Sequence, residues 1–388
     1  MRDKIFIGEI ITKRCDEFYT FECEVDGDLV WFKVPGQFNF SATAEFYVAV
    51  TLLEAMCSNR DIVVSEQHSF SPVLLENIEK LQKIYKSWNS SLNIIKIHTG
   101  DIVRKQTGNQ LVGSFYSGGV DGSFTFCQNI NEITHLIVLK GFDVISKYDQ
   151  WPNLVDKNKR TAEFYGKNLV NIDNNVRDFA NKRKISSQFQ HGLTLAGFAL
   201  ASGFKKVYIP SSFTYSDLFP WGSHPCTDPL WSTEVTEIQH HGADYTRAEK
   251  TEFISNFQPV FDNIQVCWKN IAINCGTCPK CLRTMAASYL LQVQTRALPA
   301  MKLEQFPQLK VTSVSGVPFI EDLITLAEQR GQTDVCVILR KKIRYFKIKH
   351  HASSLFNLFT NRRFVRLYHK LKRTQWDSYR VTLNKIES

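Results

Sequence analysis

Between residues 111 and 210, short apolar runs alternate with stretches long enough for a helix. LVGSFY (111–116), HLIVLKG (135–141), NLVNID (168–173) and KKVYIP (205–210) read as strands. SFTFCQNI, a segment around 153–167 and QHGLTLAGFALASG (190–203, stopped by Gly203) read as helices. Strands joined through helices pair in parallel, and the crossovers cover both faces of the sheet. The pattern predicts an α/β chain with a doubly wound parallel sheet. Ligands of such sheets bind beyond the carboxyl ends of the strands.

One such end reads Ser117-Gly118-Gly119-Val120-Asp121-Gly122-Ser123. Adjacent glycines let a backbone adopt positive φ and approach a ligand closely. Successive N–H groups and the emerging helix then make an anion site. The hydroxyls of Ser117 and Ser123 can donate to phosphate, and Asp121 can hold the Mg²⁺ that accompanies a triphosphate. The plainer alternative is a turn with Ser123 as helix N-cap. Walker A and GxGxxG signatures are absent at this corner.

A second motif begins 144 residues after Ser123. Cys267, Cys275, Cys278 and Cys281 have the spacing C-x7-C-x2-C-x2-C. Thiolates at CxxC spacing suit a tetrahedral Zn²⁺, and a closed four-sulfur shell staples the chain without catalysing. Free thiols or an iron–sulfur cluster are the alternatives. Arg283 follows directly, facing either a ligand or solvent. The other six of the ten cysteines are scattered, which fits reduced thiols and a cytoplasmic setting.

The loop resembles the SGGxDS loop of the PP-loop ATP pyrophosphatases, with Gly122 where that family has serine and Ser123 one place later. Loop and cysteines together, in this order, resemble the 7-cyano-7-deazaguanine synthase branch of that family. The resemblance runs from about Leu111 to Ser288. It includes Thr246, Arg247 and Glu249 of TRAEKTEFI, which match a segment before a helix in the family. It implies a PP-loop (HUP-like) fold, with Ser117 to Ser123 gripping ATP and Cys267, Cys275, Cys278 and Cys281 holding zinc. It also implies ATP cleavage to AMP and pyrophosphate, adenylation of a carboxylate on a 7-deazaguanine-type substrate, and formation of an amide or nitrile. The departure at Gly122 puts turnover in question more than binding.

IPSSFTYSDLFPWGSHPCTDPLWSTE (209–234) has no periodicity and two tryptophans. A long aromatic loop inside a compact domain is usually functional. In the resembled synthases this segment cups the deazapurine. Trp221 or Trp231 would stack on a flat heterocycle, with His224 and Asp228 at its edge. The alternative puts both tryptophans in the core and Asp228 in a turn. Asn175 and Arg177, after a strand, are candidates for phosphate or carboxylate. His191 reads as structural, and His240-His241 carries no assignment.

The flanks are different in kind. Residues 1–105 read as an appended α+β domain, with a hairpin at Asp26-Gly27, a helix over 72–88 and a strand at LNIIKI (92–97). Residues 106–294 form the nucleotide-type domain with the zinc site. Residues 295–388 form a helical, basic extension. From 330 onward there are fifteen Lys+Arg against three acids, a net +12, while the remainder has 32 basic and 35 acidic residues, a net −3. Leu355 to Leu371 repeat apolar residues at helical spacing with cations between, which suits RNA, an anionic surface, a partner protein or docking on the body. No apolar run is long enough for a membrane span, and the first residues are too polar for a secretory signal.

These features support an ATP-dependent ligase or synthase that uses ATP, Mg²⁺ and Zn²⁺. The extra flanks suggest a specialised role such as antiviral (phage) defence. An RNA-modifying enzyme and a non-catalytic nucleotide-binding subunit are the alternatives. Association into a homo-oligomer is left open.

Overall fold

The computed structural model describes residues 3–38, 40–104, 109–141, 150–267, 269–270 and 273–359, without the side chains of 351–359. The chain opens with an antiparallel meander, β1 (Lys4–Cys15), β2 (Phe18–Val25) and β3 (Asp28–Pro35). The β2–β3 turn has φ of 53° at Asp26 and 79° at Gly27, the two positive values that a type I′ hairpin requires. Next come α1 (Ala44–Ser58), β4 (Asp61–Val64), α2 (Pro72–Trp88) and β5 (Ile97–His98). Ser71 caps α2, accepting from the Leu74 N–H, and Pro72 occupies the first turn.

The second half alternates as expected: β6 (Val112–Phe115), α3 (Val120–Gln128), β7 (His135–Leu139), α4 (Trp151–Phe164), β8 (Asn168–Asn174), α5 (Val176–Lys182), α6 (Ser187–Ser202) and β9 (Lys206–Pro210). Then follow β10 (Glu237–His241), α7 (Arg247–Ser255), α8 (Gln258–Phe261), α9 (Pro279–Leu291), α10 (Pro318–Gln329) and α11 (Thr333–Phe359).

Among the described residues the ten strands form one sheet, ordered β10-β9-β6-β7-β8-β3-β2-β1-β4-β5. From β10 to β8 every pairing is parallel. Strand order reverses between β6 and β9, which makes their carboxyl ends the topological switch point. The N-terminal strands continue this sheet, since β3 pairs antiparallel with β8 through Phe32↔Asn174 and Lys33↔Asp173. The result is an α/β fold on a largely parallel, mixed sheet.

The two faces of the sheet carry separate apolar cores. One gathers the N-terminal strands, α1, α2 and α6 against Phe115, Ile137, Val170 and Ile172. Helix α1 is buried on nearly every side because it lies between the meander and α6. The other core packs α3, α7, α9, α10 and the start of α11 over Val112, Leu136 and Tyr208.

LNIIKI does not become a six-residue strand; only Ile97 and His98 pair as β5. The buried Gln82 amide takes the backbone groups that a neighbouring strand would use. It accepts from Ile95 N at 2.8 Å and donates to Ile95 O at 3.1 Å. The basic extension is docked over its first turns: Val335, Cys336, Leu339 and Ile343 are buried against the body. Most of the Leu355–Leu371 stripe lies outside the described residues, and the side chains of its start are likewise not described. Among the described residues no helix is long and apolar enough to cross a membrane.

His241, at the end of β10, is held neutral. The Asn129 amide donates to Nε2 at 3.1 Å, which leaves the ring proton on Nδ1, 3.1 Å from Thr125 Oγ1. Burial lowers its pKa from 6.5 to about 4. The unfolded chain therefore takes up this proton first as pH falls. The stability contribution of His241 is complete above about pH 6.5 and is lost towards about pH 4. Urea unfolding at pH 7 and pH 5 should show a larger drop for the native chain than for His241→Asn.

Candidate functional site

The β6 end enters the switch point as Ser117-Gly118-Gly119. Gly118 has φ +77°, its carbonyl accepts from Gln265 N at 2.7 Å, and an added Cβ would lie 2.8 Å from Asn158 Oδ1. Gly119 is the N-cap of α3 and supplies no side-chain cap. The first N–H groups of α3 thus have neither an intrahelical carbonyl nor a capping side chain. Ser117 is exposed, while Val120 is fully buried and anchors the helix start. Gly118→Ala should cost about 1–3 kcal/mol, since it adds strain and a clash. Chemical denaturation measures this, and the unstrained Gly119→Ala is the control.

Asp121, in the first turn, meets cations from α7. Arg247 Nη2 donates to it at 2.8 Å, Lys250 Nζ lies 3.6 Å away, and Ser212 Oγ donates at 3.3 Å. Lys250 is 1% exposed and donates to Ser211 O, just past β9, at 2.7 Å. The two strands flanking the switch point are thereby tied together. Burial lowers the Lys250 pKa and Asp121 opposes that shift. Arg283 completes the group. Burial, then repulsion from Arg247, brings its pKa down to about 10. Arg247, Lys250 and Arg283 gather around Asp121 in a partly desolvated site, with Asp244 also acting on Lys250 and Asp322 on Arg247, and cations held together in this way suit an anionic ligand.

Aromatic rings border these cations. Phe319 on α10 lies under Arg283, 4.4 Å from the ring centre, and under Arg247 at 5.4 Å. Phe213 packs on Phe319 at 5.5 Å, on Phe219 at 4.8 Å and on Trp221 at 6.0 Å. All four rings are partly exposed. Asp322 accepts from Ala248 N at 2.8 Å and so fixes the start of α7. Thr246 and Glu249 form the capping box of that helix.

The cysteines converge. The sulfurs of Cys267, Cys275, Cys278 and Cys281 all lie within 4.8 Å of one another. Four sulfurs around one Zn²⁺ sit about 3.8 Å apart, and Cys278 and Cys267 are at 3.9 Å. Gly276, at φ +67°, allows the first CxxC turn. Burial would raise the Cys275 thiol pKa, but the Thr277 hydroxyl and the Thr277 and Cys278 N–H groups outweigh it and bring it to about 6. Such donors stabilise a metal-bound thiolate. Buried Asn274 braces the segment, accepting from Val266 and Cys267 N and donating to Ile264 and Ala297 O. These residues fit a structural zinc. The cluster opens α9, which carries Arg283, and its leading segment holds Gly118 through Gln265. It therefore positions two parts of the crevice.

Other sequence candidates lie apart or inside. Gly122 is buried, with space for a Cβ only 3.3 Å from Phe115 O. Ser123 has no exposed surface and sits within α3, beside Tyr116. It is not the N-cap. Trp221 reaches the aromatic border, its ring tilted against His191 with centres 4.9 Å apart. Trp231 is 1% exposed and belongs to the core, so the expectation of ligand stacking does not hold for it. His224 and Asp228 are also buried. Asp228 accepts from Ser223 Oγ at 2.7 Å and His224 N at 3.1 Å, and pairs with His240 Nδ1 at 2.7 Å. Its partners are all internal and they organise the loop. Asn175 ties β8 to β3 through Trp31 N and Leu29 O. Arg177 follows β8, two strands from the switch point.

Lys250, Phe319 and Asp322 were not singled out from sequence. Lys250 had a signal: it lies three residues after Arg247 on a helix, so both share a face. The chain matches no protein-family model, no curated protein and no solved structure.

Proposed function

We propose that the switch-point crevice binds ATP and uses it to adenylate a carboxylate, releasing pyrophosphate. The observation that carries this reading is the uncapped α3 start behind Gly118, facing Arg247, Lys250 and Arg283. Phosphates would accept from the loop N–H groups and Ser117, with the cations neutralising charge that develops on the leaving pyrophosphate. Asp121 is the carboxylate available to Mg²⁺, and binding would exchange its contact with Arg247 for the ion. The substrate carboxylate attacks the α-phosphorus, and the P–O bond to pyrophosphate breaks. The acyl adenylate then loses AMP to a nucleophile. The half-exposed rings of Phe213, Trp221 and Phe319 suit a flat substrate such as a 7-deazaguanine carboxylate. The zinc staple holds Arg283 and the loop in register.

Gly122 and the buried Ser123 favour a second reading, a nucleotide-binding subunit without turnover. Calorimetric titration with ATP and Mg²⁺ tests binding, which both readings require. Arg283→Ala should weaken it about tenfold or more, as expected for a charge-assisted contact. Adenosine binding as tightly as ATP would remove the phosphate cradle from the account.

A further inference from the structure

We infer that α11 carries a docking surface for single-stranded nucleic acid, centred on Lys341, Arg344, Tyr345 and Lys349. The inference stands independently of the reading of the crevice. Between residues 340 and 349 the helix has six cations, Arg340, Lys341, Lys342, Arg344, Lys347 and Lys349, and no acid. Arg340 pairs with Glu328 and Lys347 with Glu321. Lys341, Arg344 and Lys349 are exposed and have no acidic partner among the described residues.

Tyr345 is 69% exposed in the middle of this group. Lys341, Tyr345 and Lys349 follow at intervals of four, so they form one line along the helix. A phenol ring between two ammonium groups offers a base a stacking face and offers the flanking phosphates a charge on each side. The orientation is fixed, because Val335, Leu339 and Ile343 are buried on the opposite face. Beside the line runs a groove of about 610 Å³, lined by Arg340, Arg344 and Lys347, by Ile324, Ile343 and Ile348, and by one acid, Glu321, which pairs with Lys347.

The same arrangement disfavours other anionic partners. A membrane would need a continuous apolar face, whereas Val335, Leu339 and Ile343 are turned inwards and only Val337, Tyr345 and Ile348 are exposed large apolar residues among the described side chains of α11. An acidic peptide would use the cations and leave the ring without a role. Helix α10 joins the groove to the crevice, presenting Ile324 to one and Phe319 to the other, five residues or about 7.5 Å along its axis.

Fluorescence anisotropy of the full chain with a labelled oligouridine of about 20 nucleotides tests this. Affinity should fall with salt by a slope of about 0.7 for each phosphate neutralised. Lys341→Glu with Arg344→Glu and Lys349→Glu should weaken binding more than tenfold at an unchanged melting temperature. Tyr345→Ala should weaken it about fivefold or more with the salt slope retained, and Tyr345→Trp should restore it. Oligothymidine binding equally well would agree, since phosphate and stacking face are shared. The inference is overturned if neither variant alters affinity. It is also overturned if polyglutamate, phosphatidylserine vesicles or a duplex of the same length binds as tightly as the single strand.

Discussion

Replacing Cys278 by serine is expected to release the metal and destabilise the half of the molecule packed around α9. Structural zinc contributes about 10–16 kcal/mol of apparent binding energy in small domains, against a total stability of about 5–15 kcal/mol. Even partial loss therefore approaches the whole margin. The Cys278 sulfur also accepts from Cys281 N at the start of α9, so the substitution disturbs that turn as well. Elemental analysis should find about one zinc per native chain and a clear deficit in the variant. The melting transition should fall or broaden. Cys226→Ser, at an exposed thiol outside the cluster, should change neither reading. A folded native chain free of metal, or one containing iron with a visible charge-transfer band, would contradict the assignment.

Asp121→Ala should lower ATP turnover by about a hundredfold or more, the scale for losing one electrostatic group in an active site. Affinity should respond differently. The substitution leaves Arg247 and Lys250 without their carboxylate, and those cations then favour a polyphosphate more strongly. The expected pattern is a fall in kcat with KM unchanged or lower. A rise in KM with kcat unchanged would place Asp121 in binding alone. If the native chain binds ATP without turnover, Gly122 and the buried Ser123 become the explanation.

The parallel part of the sheet, β6 to β9, was legible from its short apolar strands and intervening helices, but its continuation was not: residues 1–105 read as an appended domain, whereas β3 pairs with β8 and the N-terminal strands share one core with it. β10 was not legible, since EIQHH has one large apolar residue and gains its place by pairing with β9. Gln82 shortened β5 from a helix whose own period was read correctly. The cysteines were legible as a set because their spacing is local. The crevice was only partly so. Its loop is a local string, but Asp121 meets Arg247 across 126 residues, and Ala248 meets Asp322 across 74. Trp221 and Trp231 looked equivalent in sequence. The 3-10 turn Asp228–Trp231, held by Asp228 and His240, turns one inwards and leaves the other at the aromatic border.

The proposed cleavage of ATP between its α and β phosphates in the switch-point crevice has one direct test. Incubating the purified chain with ATP, Mg²⁺ and a panel of 7-deazaguanine carboxylates, followed by mass spectrometry of nucleotide and product, tests it directly. AMP and pyrophosphate are expected in equal amounts, formed only with an accepted carboxylate and about a hundredfold slower with Asp121→Ala. ADP and inorganic phosphate as the products would contradict it.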